Sequence, residues 1–549
     1  MAIADQFLTH AVENQVPALS PYDAWATDLP LREALEREGG GWAAAAIAPS
    51  GPLVGGELWA AGFLANEHRP RLRTYDPRGH RIDDVEFHPA YHRLLGAAIE
   101  AGCTGFAWRN AERTGAHVAR AALYYLHGQP EQGVGCPTTM TYAAVPALRH
   151  EARLAGWADR AIAPIYDARS VPAAAKGGNT IGMGMTEKQG GSDVRSNTTR
   201  AHAVSARGGG EPYELVGHKW FFSAPMCDAH LVLAQAERGL SCFLMPRLHP
   251  DGRRNAVRIQ RLKDKLGNWS NASCEIELQG ALAWLVGEEG RGVATILEMV
   301  ALTRLDCVIG SAAIMRQALV QAVHHARHRK AFGRRLAEQP LMQAVLADLA
   351  LESEAALALM MRVARAVDGA ARDPKEAALA RIATAVAKYW VCKRCPPFVN
   401  EAQECLGGAG YVEESILPRL YREAPLNSIW EGSGNVQCLD VLRAITREPE
   451  TRAAFLDELA TVRGADARLD AEAAALDGML ADRATLEARS RFVVERMALA
   501  LQAAVLLRAA PALGAAFCAL RLEGAAGRCY GAVAGGLPVD LLLERALPG

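Results

Sequence analysis

The sequence predicts an α+β protein that is mostly α, ordered as a helical domain, a small β domain, a helical bundle and further helices. Three observations carry the prediction. The spacing of apolar residues shifts from about 3.6 to about 2 near residue 183 and back again near residue 286. At 549 residues the chain is several times the usual domain size and divides into parts. Half its residues are apolar and 22% are charged, the balance of an ordinary globular protein.

Residues 1 to about 80 carry Pro- and Gly-rich connections (PALSPYD, EGGGW, APSGPLVGG) and predict an extended arm with short helices. Pro89 suits the first turn of a helix, after which Tyr91, Leu94, Leu95, Ala98 and Ile99 fall on one face. Val118, Ala122, Tyr125 and Leu126 repeat the pattern, so an N-terminal arm and helical domain are expected over 1–182. PYELVGHKWFF alternates Tyr213 and Leu215, AHLVLAQ and LSCFLMP are short apolar runs, and ASCEIEL alternates Cys274, Ile276 and Leu278. With turn signals between them, these strands predict a β domain over 183–285. Residues 294–331 hold no proline and predict a long helix ending before Gly333, within a bundle over 286–445. A break at TREPET, 446–451, precedes an Ala-, Leu- and Arg-rich segment read as an additional helical domain over 446–549.

Composition narrows the function. With 60 Lys plus Arg against 61 Asp plus Glu, the net charge of -1 makes no global case for nucleic acid or membrane. The start of the chain lacks a basic segment followed by an apolar one, and no run of about 18 apolar residues occurs, so a cytoplasmic protein is expected. The twelve cysteines are scattered and read as small buried hydrophobes. The one CxxC, Cys392 and Cys395, has no second pair and no βαβ context to support a redox or zinc role. His324, His325 and His328 have no carboxylate or Cys at ligand spacing, so no metal is expected.

Four stretches carry chemistry. GMGMTEKQGGSDVRSNTTRA, residues 182–201, has backbone N–H groups unencumbered by side chains and the hydroxyls of Thr186 and Ser192. It reads as a solvated loop, a phosphate cradle or the wall of a cofactor pocket, and it is neither GxGxxG nor a P-loop. In GHKWFFSAP, residues 217–225, Trp220, Phe221 and Phe222 cannot all face one side of a strand; they are core packing or a wall for a flat ring. The basic run HHARHRKAFGRRLAEQPLMQ, 324–343, suits a cationic helix end facing a phosphate. In LNSIWEGSGNVQ, 426–437, Glu431 stands between Trp430 and Gly432. Desolvation there would raise its pKa into the range of a useful base; the plainer reading is a Glu favoured by a helix start.

Together, in this order, the stretches resemble the acyl-CoA dehydrogenase superfamily. MTEKQGGSD is similar to its M-T-E-x-x-x-G-S-D signature, HRKAFGRRLAEQPLMQ to R-x-x-F-G-x-x-L, and ECLGGAGYVEES with SIWEGSGNVQ to L-G-G-x-G-Y and I-x-E-G-T. GHKWFFS, RLKDKLGNWSNASCE and the added C-terminal helices resemble the adaptive-response, AidB-like branch, flavoproteins induced by alkylating agents and linked to double-stranded DNA. The resemblance implies a β-barrel-like middle domain and FAD as cofactor. It places Met183, Gly184, Met185, Thr186, Gly191 and Ser192 at the FAD, with Phe221, Phe222 and Ser223 lining the flavin. Trp430, Gly432, Ser433 and Asn435 belong to the same set, Ser433 standing where the family usually has Thr. Arg329, Phe332 and Gln343 resemble residues that reach the FAD of a neighbouring subunit, implying a homotetramer.

Glu431 matches the family's catalytic base, which removes the α-proton of an acyl-CoA while the β-hydride passes to the flavin. Isovaleryl-type members carry the base in the long helix instead; here that pair reads Thr303-Arg304, with no competing carboxylate. Weak or narrow, isovaleryl-CoA-like dehydrogenase activity is therefore expected, with electrons leaving to an acceptor the sequence does not specify. An ordinary short- or branched-chain acyl-CoA dehydrogenase whose tail serves oligomerisation is the alternative. The tail from Val441 to Gly549 has 13 Arg, no Lys and 14 Asp plus Glu, so composition gives no basic patch. The resemblance nevertheless implies a DNA contact, for which Arg443, Arg489, Arg491, Arg496 and Arg508 are the candidates.

Overall fold

The computed structural model describes residue 7 and residues 9–482 and 484–548. The first part is more ordered than its Pro and Gly content predicts. Helix α1 (Leu29–Arg37) is capped by Asp28, whose side chain accepts from Leu31 N, and α2 (Glu57–Glu67) follows. A two-stranded ribbon, β1 (Arg71–Tyr75) with β2 (Arg81–Glu86), stands where only an extended arm and short helices were expected. The arm is held because buried Asp28 pairs with Arg316, and Arg316 also donates to Thr27 O at 2.9 Å. Helices α3 (Pro89–Ala101), α4 (Ala116–His127) and α5 (Gly135–Arg149) then bury the apolar faces read from the sequence.

Seven strands make the middle β structure: β3 (Ile181–Gly184), β4 (Arg200–Ala203), β5 (Pro212–Ser223), β6 (Ala229–Ala236), β7 (Gly239–Pro246), β8 (Val257–Leu262) and β9 (Ser273–Leu285). The sheet closes on itself, because β6 pairs with β7 along one edge and meets β4 at Gln235 on the other. Strand β3 adds to β6 in parallel, Ile181–Gly184 against Ala229–Val232.

Helix α6 (Gly292–His328) is the long proline-free helix, and Arg329 ends it in an extended conformation. A short ribbon, β10 (Lys330–Ala331) with β11 (Arg334–Arg335), leads to α7 (Pro340–Gly369) and α8 (Pro374–Cys405). Cys392 and Cys395 lie inside α8, their thiols directed at the carbonyls of Cys307 and Ser311 on α6. After α9 (Leu417–Glu423), α10 (Gly434–Arg447) ends where Pro449 opens α11 (Pro449–Ala460). Then come α12 (Ala467–Ala481), α13 (Leu486–Ala509), α14 (Pro511–Phe517) and α15 (Val539–Ala546). Phe455, Val494, Met497 and Phe517 of this last segment share one buried cluster with Leu351, Val386 and Phe398 of α7 and α8, so the tail is packed into the bundle. Among the described residues no helix is long and apolar enough to cross a membrane.

Candidate active site

The turn before α10 is backbone under constraint. Glu431 has φ 58° and Gly432 φ 96°, two consecutive left-handed residues. Glycine takes that conformation freely, whereas glutamate does not. Such a conformation persists only where the surroundings over-determine it. Here Lys388, fully buried in α8, donates to the carbonyls of Asn427, Trp430 and Gly432 at 3.0, 2.9 and 2.8 Å. Arg304 Nε donates to Glu431 O at 3.1 Å, and Gln437 Nε2 to the carbonyls of Glu431 and Gly432. The Trp430 indole N–H is anchored on Asn427 Oδ1.

The Glu431 carboxylate is thereby aimed at α6, where Thr303 Oγ1 donates to its Oε2 at 2.7 Å. Val300 O lies 3.1 Å from the same hydroxyl, which has one proton to give. Burial pushes the Glu431 carboxyl above the usual carboxylate range, opposed by the Thr303 hydrogen bond and the charges of Lys388 and Arg304. Thr303 was legible only as the place where no carboxylate stood; its role as partner of the base needs the fold. Lys388 and Gln437 gave no sequence signal, being a Lys in a long helix and a Gln one turn into another.

The MTEKQGGSD run lies on the same core as this turn. Met185 and Trp430 pack on one buried cluster that joins the β structure to α5 and α6, with Met183, Met140 and Val300 inside it. Trp220 N donates to Thr186 O at 2.8 Å, tying the motif to the end of β5. A β-bulge between Lys219 and Phe222 places two residues of β5, Trp220 and Phe221, against one of β9, Glu275. It resolves the Trp-Phe-Phe problem: Lys219 and Phe222 both point inward, while Phe221 is 51% exposed and Trp220 half-buried. The expectation that Phe222 lines the flavin is corrected here, because its ring is 2% exposed and stacked on His230 at 3.9 Å. Gly184 is required by this packing, since a Cβ there would sit 2.7 Å from the Phe222 ring.

The motif's own Glu187 is a buried structural ion. Its carboxylate accepts from Lys219 Nζ at 2.8 Å, from the N–H groups of Thr198 and Thr199 at 2.7 and 3.2 Å, and from Thr198 Oγ1. Burial alone would raise its pKa, but the Lys219 charge and these hydrogen bonds hold it down at about 2. The Ser196–Thr199 tail, which carries no catalytic chemistry, is the clamp on this carboxylate; Asn197 Nδ2 adds a bond to Met185 O at 2.9 Å.

Met185 and Trp430 are half-buried on that one cluster, Phe221 is exposed and Ser223 half-buried at the end of β5, and Thr186 is half-buried and Ser192 exposed. Those residues fit a flavin. Gly432, Ser433 and Asn435 continue the turn into α10, where Ser433 is the N-cap residue with its side chain exposed and making no capping bond. Beside Trp430 lies a cavity of about 10 Å³, room for about one water molecule, lined by Asp306, Glu423, Asn427 and Gln132. Its floor is charged: Asp306 pairs with fully buried Arg120, and burial with the nearby Glu131 pushes Glu423 up to about 7.

Arg329, Phe332 and Gln343 are not brought to this turn. Arg329 follows α6 roughly 40 Å along the helix axis from Thr303, at the rise of one helical residue each. Phe332 is 97% exposed at the tip of the β10–β11 ribbon, Arg329 donates to Asn14 O, and Gln343 to Ala337 O. Of the tail arginines, Arg489 pairs with Asp482, Arg496 with Glu472, Arg508 with Glu458 and Arg443 with Asp440. Arg491 instead donates to Tyr389 Oη at 3.4 Å.

Residues 14–168 match the adaptive response protein AidB N-terminal domain, 182–281 the acyl-CoA dehydrogenase middle domain, and 290–446 the acyl-CoA dehydrogenase C-terminal domain. "Putative acyl-CoA dehydrogenase AidB" of Escherichia coli (strain K12) is 48% identical over 519 residues, 94% of this chain and 95% of its own. Acyl-CoA dehydrogenase family member 11 of Caenorhabditis elegans is 32% identical over 75% of this chain and 68% of its own. Among solved structures, C. elegans ACDH-11 in complex with C11-CoA aligns with a TM-score of 0.82 at 25% identity, covering 100% of this chain and 95% of that one. The apo form of Bd2924 aligns with a TM-score of 0.83 at 28% identity, covering 91% and 100%.

Proposed function

The chain belongs to the AidB-like branch of the acyl-CoA dehydrogenase family, FAD-dependent oxidoreductases, and from that premise we propose a narrow acyl-CoA dehydrogenase activity with Glu431 as base, together with double-stranded DNA binding in the alkylation response. The observation that carries the enzymatic part is the Glu431 carboxylate, raised by burial and fixed by Thr303 on a turn whose Asn427, Trp430, Glu431 and Gly432 carbonyls are held. FAD, when bound, supplies the hydride acceptor for the β-carbon. Met183, Gly184, Met185, Thr186, Gly191, Ser192, Phe221, Ser223, Trp430, Gly432, Ser433 and Asn435 would hold it. Glu431 takes the α-proton onto its carboxylate, and Thr303 keeps the receiving oxygen in place. Phe222 supports the wall from behind.

The ACDH-11 complex supports an acyl-CoA thioester as the substrate class. Arg329, Phe332 and Gln343, far from their own Glu431, would serve a neighbouring subunit's cofactor in a homotetramer. The test is turnover of acyl-CoAs from two to twelve carbons by the flavin-loaded protein. Turnover confined to the short and branched thioesters and lost in Glu431→Gln supports the reading; an unchanged rate in Glu431→Gln refutes it.

For DNA, the supporting residues are Arg443 and Arg491. Asp440 is shared by Arg304, Arg381 and Arg443, which leaves positive charge in excess at α10, and Arg491 has no acidic partner in contact among the described residues. Arg489, Arg496 and Arg508 are balanced by acids. That balance, and the burial of the tail in the bundle core, favour the second reading, an ordinary dehydrogenase whose tail is structural. Truncation near 446 would strip the core, so full-length Arg443→Ala/Arg491→Ala decides. Duplex binding whose log-log salt slope falls by about two in the double variant supports the DNA reading, and no binding at low salt supports the alternative.

A further inference from the structure

The loop 263–272, between β8 and β9, is organised by Trp269. Its indole Nε1 donates to Lys265 O at 2.8 Å, and the guanidinium groups of Arg69 and Arg422 stack over its ring at 3.4 and 4.0 Å. Lys265, held in this way, turns its side chain toward the start of β9, where Nζ donates to Asn271 O at 2.6 Å and to Ser273 Oγ at 3.2 Å. Among the described residues no carboxylate is in contact with it. The two acids whose charges reach it are engaged elsewhere, Glu131 by Ser270 Oγ and Val134 N, Glu423 by Asn268 N. Burial holds the Lys265 pKa down at about 8, which still leaves the proton on at neutral pH.

Ser273 opens β9 and pairs across the strands with Ser223, the last residue of β5; their hydroxyl oxygens lie 2.9 Å apart. Proton counting sets the direction of that contact. An ammonium only donates and each hydroxyl has one proton to give, so Ser273 Oγ accepts from Lys265. Its one other hydrogen-bond partner among the described residues is Ser223, so its own proton goes to Ser223 Oγ. Ser223 therefore accepts from behind and has its proton left to give. The protein group left to take it is the Cys136 thiol, a weak acceptor. Burial pushes that thiol up to about 11, and the charges of both Lys265 and Glu431 act on it, which puts the three side chains beside the Glu431 carboxylate.

We propose that Lys265 is a positioning residue for the cofactor: through Ser273 it fixes the Ser223 hydroxyl as a donor to the flavin with a positive charge behind it, favouring reduced over oxidised FAD. The proposal rests on the reading above that Ser223 lines the flavin. A donor backed by a cation stabilises whichever state of a bound cofactor carries the more negative charge, and reduction adds that charge.

Reductive titration of the full-length, FAD-loaded protein against a reference dye gives the midpoint potential and tests this. Lys265→Met and Ser273→Ala should each weaken the binding of reduced relative to oxidised FAD about 10-fold, the scale of one hydrogen bond backed by a charge. For a two-electron couple that is a fall of about 30 mV. A merely structural role would change flavin content or melting temperature and leave the potential of the bound flavin where it is. Unchanged potentials in both variants overturn the proposal. So does a fall in Lys265→Met that Ser273→Ala does not share, since the charge then acts without the hydroxyls. If Lys265→Met does not fold, Ser273→Ala decides alone, because it removes one hydroxyl and leaves the charge in place. Ser223→Ala separates the proposal from the reading beneath it. A changed potential or flavin spectrum there, with none in the other two, keeps Ser223 at the flavin and removes the role of Lys265. No change in Ser223→Ala takes Ser223 off the flavin, and both fall.

Discussion

Two glutamates, one in the MTEKQGGSD run and one on the turn before α10, have opposite fates. Glu187 meets a lysine and three Thr groups and is locked as an anion at about 2; Glu431 meets one hydroxyl and a turn whose cations are spent on carbonyls, and is raised. Lys219 and Lys388 are both fully buried, yet only Lys219 touches a carboxylate. The difference teaches that a buried lysine determines whether a neighbouring acid is a structural ion or a usable base by where its N–H groups point.

The comparison breaks most completely if Glu431 is emptied of its charge. Glu431→Gln should lower kcat by about a thousandfold, the scale of a lost general base, with flavin content unchanged. Lys219→Met should act on folding, costing about 3–5 kcal/mol because Glu187 is left buried and unpaired. Adding Glu187→Gln should recover part of that loss in urea melts, and an additive pair would show that the two groups are not coupled. Thr303→Val sharpens the contrast at smaller scale. Its hydroxyl lowers the Glu431 pKa, so its removal should move the acid limb of the kcat/KM profile to higher pH.

The smallest effect is in acid. Glu187 has a folded pKa below its unfolded value of 4.5, so its stabilising contribution is complete above that value and is lost as pH falls toward about 2. The wild type should lose melting temperature across that window, and Lys219→Met/Glu187→Gln should lose less.

Much of the site was legible in the chain. Trp430, Glu431 and Gly432 announced a desolvated carboxylate on a flexible turn, and the MTEKQGGSD run a wall for a ring. Phe222 was carried over from the family's motif together with Phe221 and Ser223, and the bulge at Trp220 and Phe221 turns its ring into the core instead. The first 80 residues were read as loosely structured because turn residues were counted without the buried Asp28–Arg316 pair that ties them down. Arg496 and Arg508 read as free cations because their acids, Glu472 and Glu458, lie 24 and 50 residues away in sequence.

The sequence by itself determined the order of helical and β parts, the four motifs, the family and the identity of the candidate base, because each depends on local periodicity or on residues close together in the chain. Only the tertiary structure decided which acid is poised and which is locked, that Thr198 and Thr199 clamp Glu187, and that the tail belongs to the bundle core. Those outcomes depend on desolvation and on partners brought from distant segments, and neither is written in any single stretch of the chain.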